Sequence, residues 1–241
     1  MIRVALVGYG KMGRQVEAKI KESGNIECVG IVAPSMTKTL DELMAEIDVI
    51  IDFSHPDNLR MIGEYAKAKD LPVVIATTGY DETQIGYIND LSKSVPVVYA
   101  ANFSLGVTVM TKIASQLGEL LSGDFDIEII ETHHNQKLDA PSGTAKMLLE
   151  AVDPNEEYSR VYGREGDSKR KREIGIHAIR GGNIAGKHTV LFAGEDETLE
   201  ITHTATSKQI FANGAIKAAI FAIGKPPGLY NMNHVLFKGE E

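Results

Sequence analysis

The sequence predicts the α/β class, a doubly wound parallel sheet joined to an α+β domain whose sheet is mixed. Three observations carry this. Over residues 1–102, short β-rich runs alternate with stretches of helical period, the pattern of parallel strands linked by crossover helices. Beyond Asn102 a long helical stretch is followed by β-rich runs with no helix between them, which suits a mixed or antiparallel sheet. The length of 241 residues is enough for one large core or two modest ones.

Taken in order, strands are expected at residues 2–7, 26–32, 48–53, 72–76 and 96–100. Pro56-Asp57 opens a helix to residue 69, and Asp81-Glu82-Thr83 opens another to residue 92, both with an acidic first turn that complements the helix dipole. Residues 106–121 form a long helix with Val109, Ile113, Leu117 and Leu120 at helical spacing. A strand over 126–132 is left near His133, and Ser142 or Thr144 caps a helix over 145–152. Strands at 173–180, 187–193 and 198–205 are separated by the turn-like segments Gly181-Gly182-Asn183 and Gly194-Glu195-Asp196. A final helix over 209–223 carries Ala212, Ala215, Ala218, Ala219 and Ala222, small enough for close packing on a sheet.

Composition narrows the function. With 43% hydrophobic and 24% charged residues and no apolar run approaching the roughly 20 residues of a membrane span, a membrane protein is not expected. Met1 leads straight into the first strand, which leaves no room for a secretory leader and points to the cytoplasm. The net charge of −8 argues against nucleic acid as a partner. Lys169-Arg170-Lys171-Arg172 is the exception, read as a solvated loop or as an aid in attracting an anionic substrate. The one cysteine, Cys28, lies in an apolar run and is expected to be a buried structural thiol.

Gly8-Tyr9-Gly10-Lys11-Met12-Gly13 is a G-x-G-x-x-G loop between the first strand and a helix. There the glycines permit a tight turn and close approach to a pyrophosphate, so a Rossmann-type dinucleotide site is expected. An NAD-specific site carries an acidic residue about 20 positions on. Here the second strand ends in Val32-Ala33-Pro34-Ser35, and Ser35, Thr37 and Lys38 offer hydroxyl and ammonium groups suited to a 2'-phosphate. NADPH is therefore expected to serve at least as well as NADH. Ala76-Thr77-Thr78-Gly79 and Ala100-Ala101-Asn102-Phe103 follow the fourth and fifth strands, where ligands meet parallel sheets.

The segment from Glu131 to Pro141 places His133, His134 and Lys137 just before a helix N-terminus, the equipment for holding a dianion and giving it a proton. Adjacent strand residues face opposite sides, so the two histidines are poorly placed to share a metal, and none is expected. The N–H groups of Gly143 and Thr144 at the helix start suit a carboxylate. Ser142 lacks the G-x-S-x-G elbow of a nucleophile.

From Glu131 to Thr144 the chain matches an E-x-H-H-x-x-K-x-D-x-P-S-G-T segment and so resembles the 4-hydroxy-tetrahydrodipicolinate (dihydrodipicolinate) reductase family of lysine and diaminopimelate biosynthesis. The resemblance extends through the glycine loop, Thr77-Thr78-Gly79, Ala101-Asn102-Phe103-Ser104, Ile179 to Asn183, Gly186 to Thr189 and Gly228 to Met232. It implies hydride transfer from NADPH or NADH to a cyclic imine dicarboxylate, with His133 as proton donor, Lys137 as donor and anchor, His134 as a substrate contact, and Gly143 and Thr144 binding a carboxylate. Gly8 to Gly13, Ala76 to Thr78 and Ala100 to Phe103 match its nucleotide and nicotinamide contacts. It further implies a dinucleotide domain of residues 1–104 and 208–241, a substrate and oligomerisation domain of 105–207, and a homotetramer. The chain departs from the family in a glycine loop one residue shorter, in Ala76 where Gly is common, and in lacking the acidic residue after the second strand. Another two-domain amino-acid or sugar dehydrogenase would share the nucleotide half but not the His-His-x-x-Lys segment. An NAD(P)H-sensing regulator would need no proton donor.

Overall fold

Strand β1 (Ile2–Val7) is apolar on both faces from Val4 onward, as an interior strand of a parallel sheet must be. Val4 and Leu6 face one hydrophobic cluster and Ala5 and Val7 another, the period of two sorting them to opposite sides. In a computed structural model, which describes residues 1–237 and 239, β1 pairs in parallel with β2 (Ile26–Val32) and β3 (Val49–Asp52). β4 (Val73–Ile75), β5 (Pro96–Tyr99) and the short β11 (Gly228–Tyr230) extend the sheet in the order β11-β5-β4-β3-β1-β2, all parallel. Helices α2 (Leu59–Lys69) and α3 (Glu82–Ser92) bury Ile62, Ala66, Ile88 and Leu91 on one face. On the other lie α1 (Lys11–Lys21) and α6 (Gln209–Ala222), the latter through all five alanines picked out by their spacing. A brief α7 (Met232–Leu236) closes this unit.

The chain divides into two compact units, Met1–Leu105 with Gln209–Glu241, and Gly106–Lys208. Residues 238, 240 and 241 of the expected first domain lie outside the described residues.

The second unit is built on a mixed five-stranded sheet ordered β10-β9-β6-β8-β7. β6 (Asp126–His133) lies at its centre, parallel to β8 (Glu173–Arg180) and antiparallel to β9 (Gly186–Ala193). β10 (Thr198–Ala205) and β7 (Ser159–Tyr162) are the edges. The turn at 181–183 therefore joins β8 and β9 across β6, whereas the one at 194–196 makes a true hairpin of β9 and β10. Helices α4 (Leu105–Leu121) and α5 (Gly143–Val152) cover one face. Met110, Ala114, Leu148, Leu149 and Val152 pack there on Ile127, Ile129, Ile176 and Phe192. Along β6 the covered face reads Ile127, Ile129, Glu131, His133, so the strand that anchors the core turns polar at its C-terminal end.

The basic run is pinned to this unit more than its charge suggests. Arg170 pairs with Asp126 at 3.0 Å and donates to the Ile127 carbonyl at 3.1 Å, and Arg172 bonds Glu157 at 2.5 Å. Lys169 and Lys171 remain exposed. Cys28 is half-buried rather than fully enclosed, and burial raises its thiol pKa.

Candidate active site

In the first unit, the turn after β1 has strict steric demands. Gly8 has φ of +93°, and a Cβ there would stand 2.2 Å from the Phe53 carbonyl oxygen; one on Gly13 would stand 2.1 Å from that of Gly8. Gly10 differs, because a Cβ there would meet nothing within 4 Å. The fold itself does not require a glycine at position 10, and the space there is what a ligand's approach to the backbone would need. Gly10 is also the N-cap of α1, makes no side-chain cap and precedes a first turn without acidic residues, so the helix start presents its N–H groups and positive dipole end to an anion.

A cavity of about 460 Å³ opens beside this turn, lined by Gly8, Gly10, Val32, Ala33, Lys38 and Phe53 among others. A second, of about 560 Å³, is lined by Gly10, Lys11, Met12, Ser54, Ala76, Thr77 and Thr78. The first sits at the carboxyl ends of β1, β2 and β3 and the second at those of β1, β3 and β4, where the strand order reverses. Lys38 thus reaches the first cavity, while Ser35 is exposed outside its lining. The Tyr9 hydroxyl is engaged along α1, donating to Glu17 at 2.5 Å, which leaves its backbone for the turn. Thr77 is buried and accepts from the Ser54 N–H at 2.8 Å. Ser54 in turn donates to Asp52 at 2.5 Å, and Tyr80 donates to Asp52 at 3.2 Å. Burial pushes the Asp52 carboxyl up, with the hydroxyl donors only partly opposing it. Asp52, Ser54 and Tyr80, which tie the two loops together, were not predicted. Phe103 is a core residue with its ring 6.4 Å from Phe53, and the Asn102 side chain accepts from the Ser104 N–H at 2.8 Å.

The second unit gathers the histidine segment. His133 ends β6, mostly buried, with Nδ1 2.6 Å from Glu131 Oε2. Glu131 is fully buried. Its oxygens also accept from Arg180 at 2.8 Å each, and Oε1 accepts from the Ser142 N–H at 3.0 Å. Burial pushes the Glu131 carboxyl up, but Arg180, His133 and the Ser142 N–H together outweigh it and hold it below the usual range. Ser142 caps α5 through Ala145 N and sits 2.9 Å from His188 Nε2, so the start of α5 is fastened beside His133. Of the two capping candidates, Ser142 is the one used. The His188 ring meets His133 edge-on with centroids 5.0 Å apart, and burial, aided by the His133 charge, pushes its pKa down to about 4. His134 is half-buried in the following turn, and Lys137 bonds Asp139 at 2.7 Å. Gly143 and Thr144 lie within the first turn of α5, which starts two residues before the expected 145 because Ser142 is the cap. Among the described residues no group of three or more His, Cys, Asp or Glu is arranged to hold a metal ion, and no helix is long and apolar enough to cross a membrane.

A parallel sheet with an open glycine turn in one unit, and a buried carboxylate–imidazole pair beside a helix start in the other, fit the class of nicotinamide-dependent reductases. Residues 2–103 match the family model of the N-terminus of dihydrodipicolinate reductase and residues 106–236 that of its C-terminus. The chain belongs to the dihydrodipicolinate reductase family. It is 46% identical over 248 residues to 4-hydroxy-tetrahydrodipicolinate reductase of Clostridium tetani, covering 98% of this chain and 97% of that one. It is 43% identical to the enzyme of that name from Staphylococcus aureus, covering 97% of this chain and 100% of that one. A solved dipicolinate-bound dihydrodipicolinate reductase from Paenisporosarcina sp. TG-14 superposes with a TM-score of 0.81 at 25% identity, over 98% of this chain and 99% of that one. The activity is the NAD(P)H-dependent reduction of 4-hydroxy-tetrahydrodipicolinate to tetrahydrodipicolinate, a step of diaminopimelate and lysine biosynthesis.

Proposed function

We propose that His133 protonates the reduced ring, that Lys137 and His134 contact the substrate, and that Gly143 and Thr144 receive one of its carboxylates. The observation that carries this reading is the fastening of α5 to Glu131 through Ser142, because it puts a proton-bearing imidazole and a carboxylate-binding helix start in one place. Bound nicotinamide supplies the hydride. Its addition to the conjugated imine that remains once the 4-hydroxyl has left as water puts negative charge on the ring, and an imidazole is a fitting source of the quenching proton. His133 is the imidazole that stands beside this helix start. Lys137, mostly buried with Asp139 as its partner, can exchange that carboxylate for the substrate's.

The cofactor is held, on this reading, by the turn from Gly8 to Gly13, by Ala76 to Thr78, and by the backbone of Ala100 to Phe103. The chain uses NADPH at least as well as NADH, because Lys38 lines the cavity and no carboxylate ends β2 to meet a ribose hydroxyl. Residues 1–104 and 208–241 serve the dinucleotide, and 105–207 serve substrate and assembly. Assembly as a homotetramer accords with β10, an eight-residue edge strand that carries the exposed Leu199, since proteins commonly cover such edges. The setting is the cytoplasm.

Generating the substrate in situ from pyruvate and aspartate semialdehyde with the preceding synthase, and following NAD(P)H absorbance, tests the activity. Oxidation is expected with both cofactors, and none with either would overturn it. A preference for NADH of about a hundredfold in KM would overturn the cofactor reading.

A further inference from the structure

Glu131 is buried for no reason that packing supplies. A carboxylate in the covered face of β6 costs desolvation, and here two Arg180 nitrogens and the Ser142 N–H compensate it. An ionised carboxylate is acceptor-only, so the 2.6 Å contact requires the proton on His133 Nδ1. Nε2 is then the atom free to gain and lose a proton. The fold keeps that edge clear, since a Cβ on residue 186 would stand 3.0 Å from Nε2 and the residue there is glycine.

Resting on the reading of His133 as proton donor, we propose that Glu131 and Arg180 are positioning residues for the reduction. Glu131 fixes the ring so that Nε2–H is the proton delivered, and Arg180 sets how tightly the carboxylate holds the imidazolium. The two-pronged Arg180 contact engages both oxygens of the same carboxylate and so tempers its hold on the ring. The other groups facing the ring do not replace this pair. His188 on β9 meets it edge-on, and its Nε2 is already bonded to Ser142. Lys137 and Asp139 on the following loop neutralise each other, and His203 on β10 is half-buried.

The test is the pH profile of kcat at saturating substrate and cofactor, where the alkaline limb reports the acid in the complex. Glu131→Gln removes the negative charge and should move that limb to lower pH by about one unit or more. At neutral pH its kcat should fall by about ten- to a hundredfold. Arg180→Met frees the carboxylate to bind the imidazolium harder, so the limb should move to higher pH, with Arg180→Lys lying between it and the parent. Dipicolinate affinity should stay within about threefold in folded variants, which a merely structural role would not guarantee. Should Arg180→Met fail to fold, Glu131→Gln and Arg180→Lys decide the matter. Limbs that stay put, or that move in the same direction, overturn the proposal. If His133→Gln keeps both rate and limb, the reading of His133 fails instead, and the two failures are distinct.

Discussion

His133 and Lys137 occupy different surroundings, and their substitution should divide the kinetics differently. His133 is mostly buried and held by Glu131, so His133→Gln should lower kcat about a hundredfold or more while changing KM little, as loss of a general acid does. An unchanged kcat in a steady-state assay would move the donor elsewhere. Lys137 pairs with Asp139, whose carboxyl it pulls below the usual range, and Asp139 is itself more than half exposed. Such a pair contributes little to stability. Lys137→Met should therefore leave the melting temperature nearly unchanged and, on the proposed role of Lys137 as a substrate anchor, raise KM about tenfold or more.

At the scale of elements, the glycine turn separates a folding requirement from a binding requirement. Gly13→Ala would drive a Cβ into the Gly8 carbonyl, so α1 must shift from β1, and both thermal stability and cofactor affinity should fall. Gly10→Ala meets nothing within the chain and should fold normally, yet raise KM for NADPH and NADH alike. A Gly10→Ala variant with parental KM would remove the turn from the cofactor site. The same contrast explains what could be read in the sequence. The parallel strands and the crossover helices were legible because apolar periodicity is local, and the histidine segment because its groups are neighbours in the chain. β7 and β11 escaped, one being a four-residue edge strand with mostly exposed side chains and the other only three residues long. Arg180 as the partner of Glu131, and His188 as the neighbour of His133 and Ser142, escaped for a different reason. Register places Arg180 opposite His133 on β8 and His188 opposite Glu131 on β9, a pairing of residues far apart in sequence that no short motif encodes.

Across the whole molecule, the two units should answer acid differently because Asp52 in one and His188 in the other are buried with opposite tendencies. In the first, burial raises Asp52 above its unfolded value, so its protonation favours the folded state, and that contribution is present at low pH and fades as pH rises through the folded value. In the second, burial lowers His188 from 6.5 to about 4. The unfolded chain therefore binds a proton in that window that the folded chain refuses. Stability is full above the unfolded value and is lost as pH falls toward the folded one, by about 2 kcal/mol between roughly pH 7 and pH 5. Glu131, held below its usual range, adds a loss in the same direction at lower pH still. Acid unfolding should thus begin in Gly106–Lys208, with amides of β6 and β9 losing hydrogen-exchange protection near pH 5 before those of β1 and β3. In His188→Gln, a neutral side chain able to accept from Ser142, the drop in melting temperature between these pH values should shrink by most of its size. Equal loss of protection in both units, or a variant as acid-sensitive as the parent, would show that the neutral His188 does not set the acid limit of the protein.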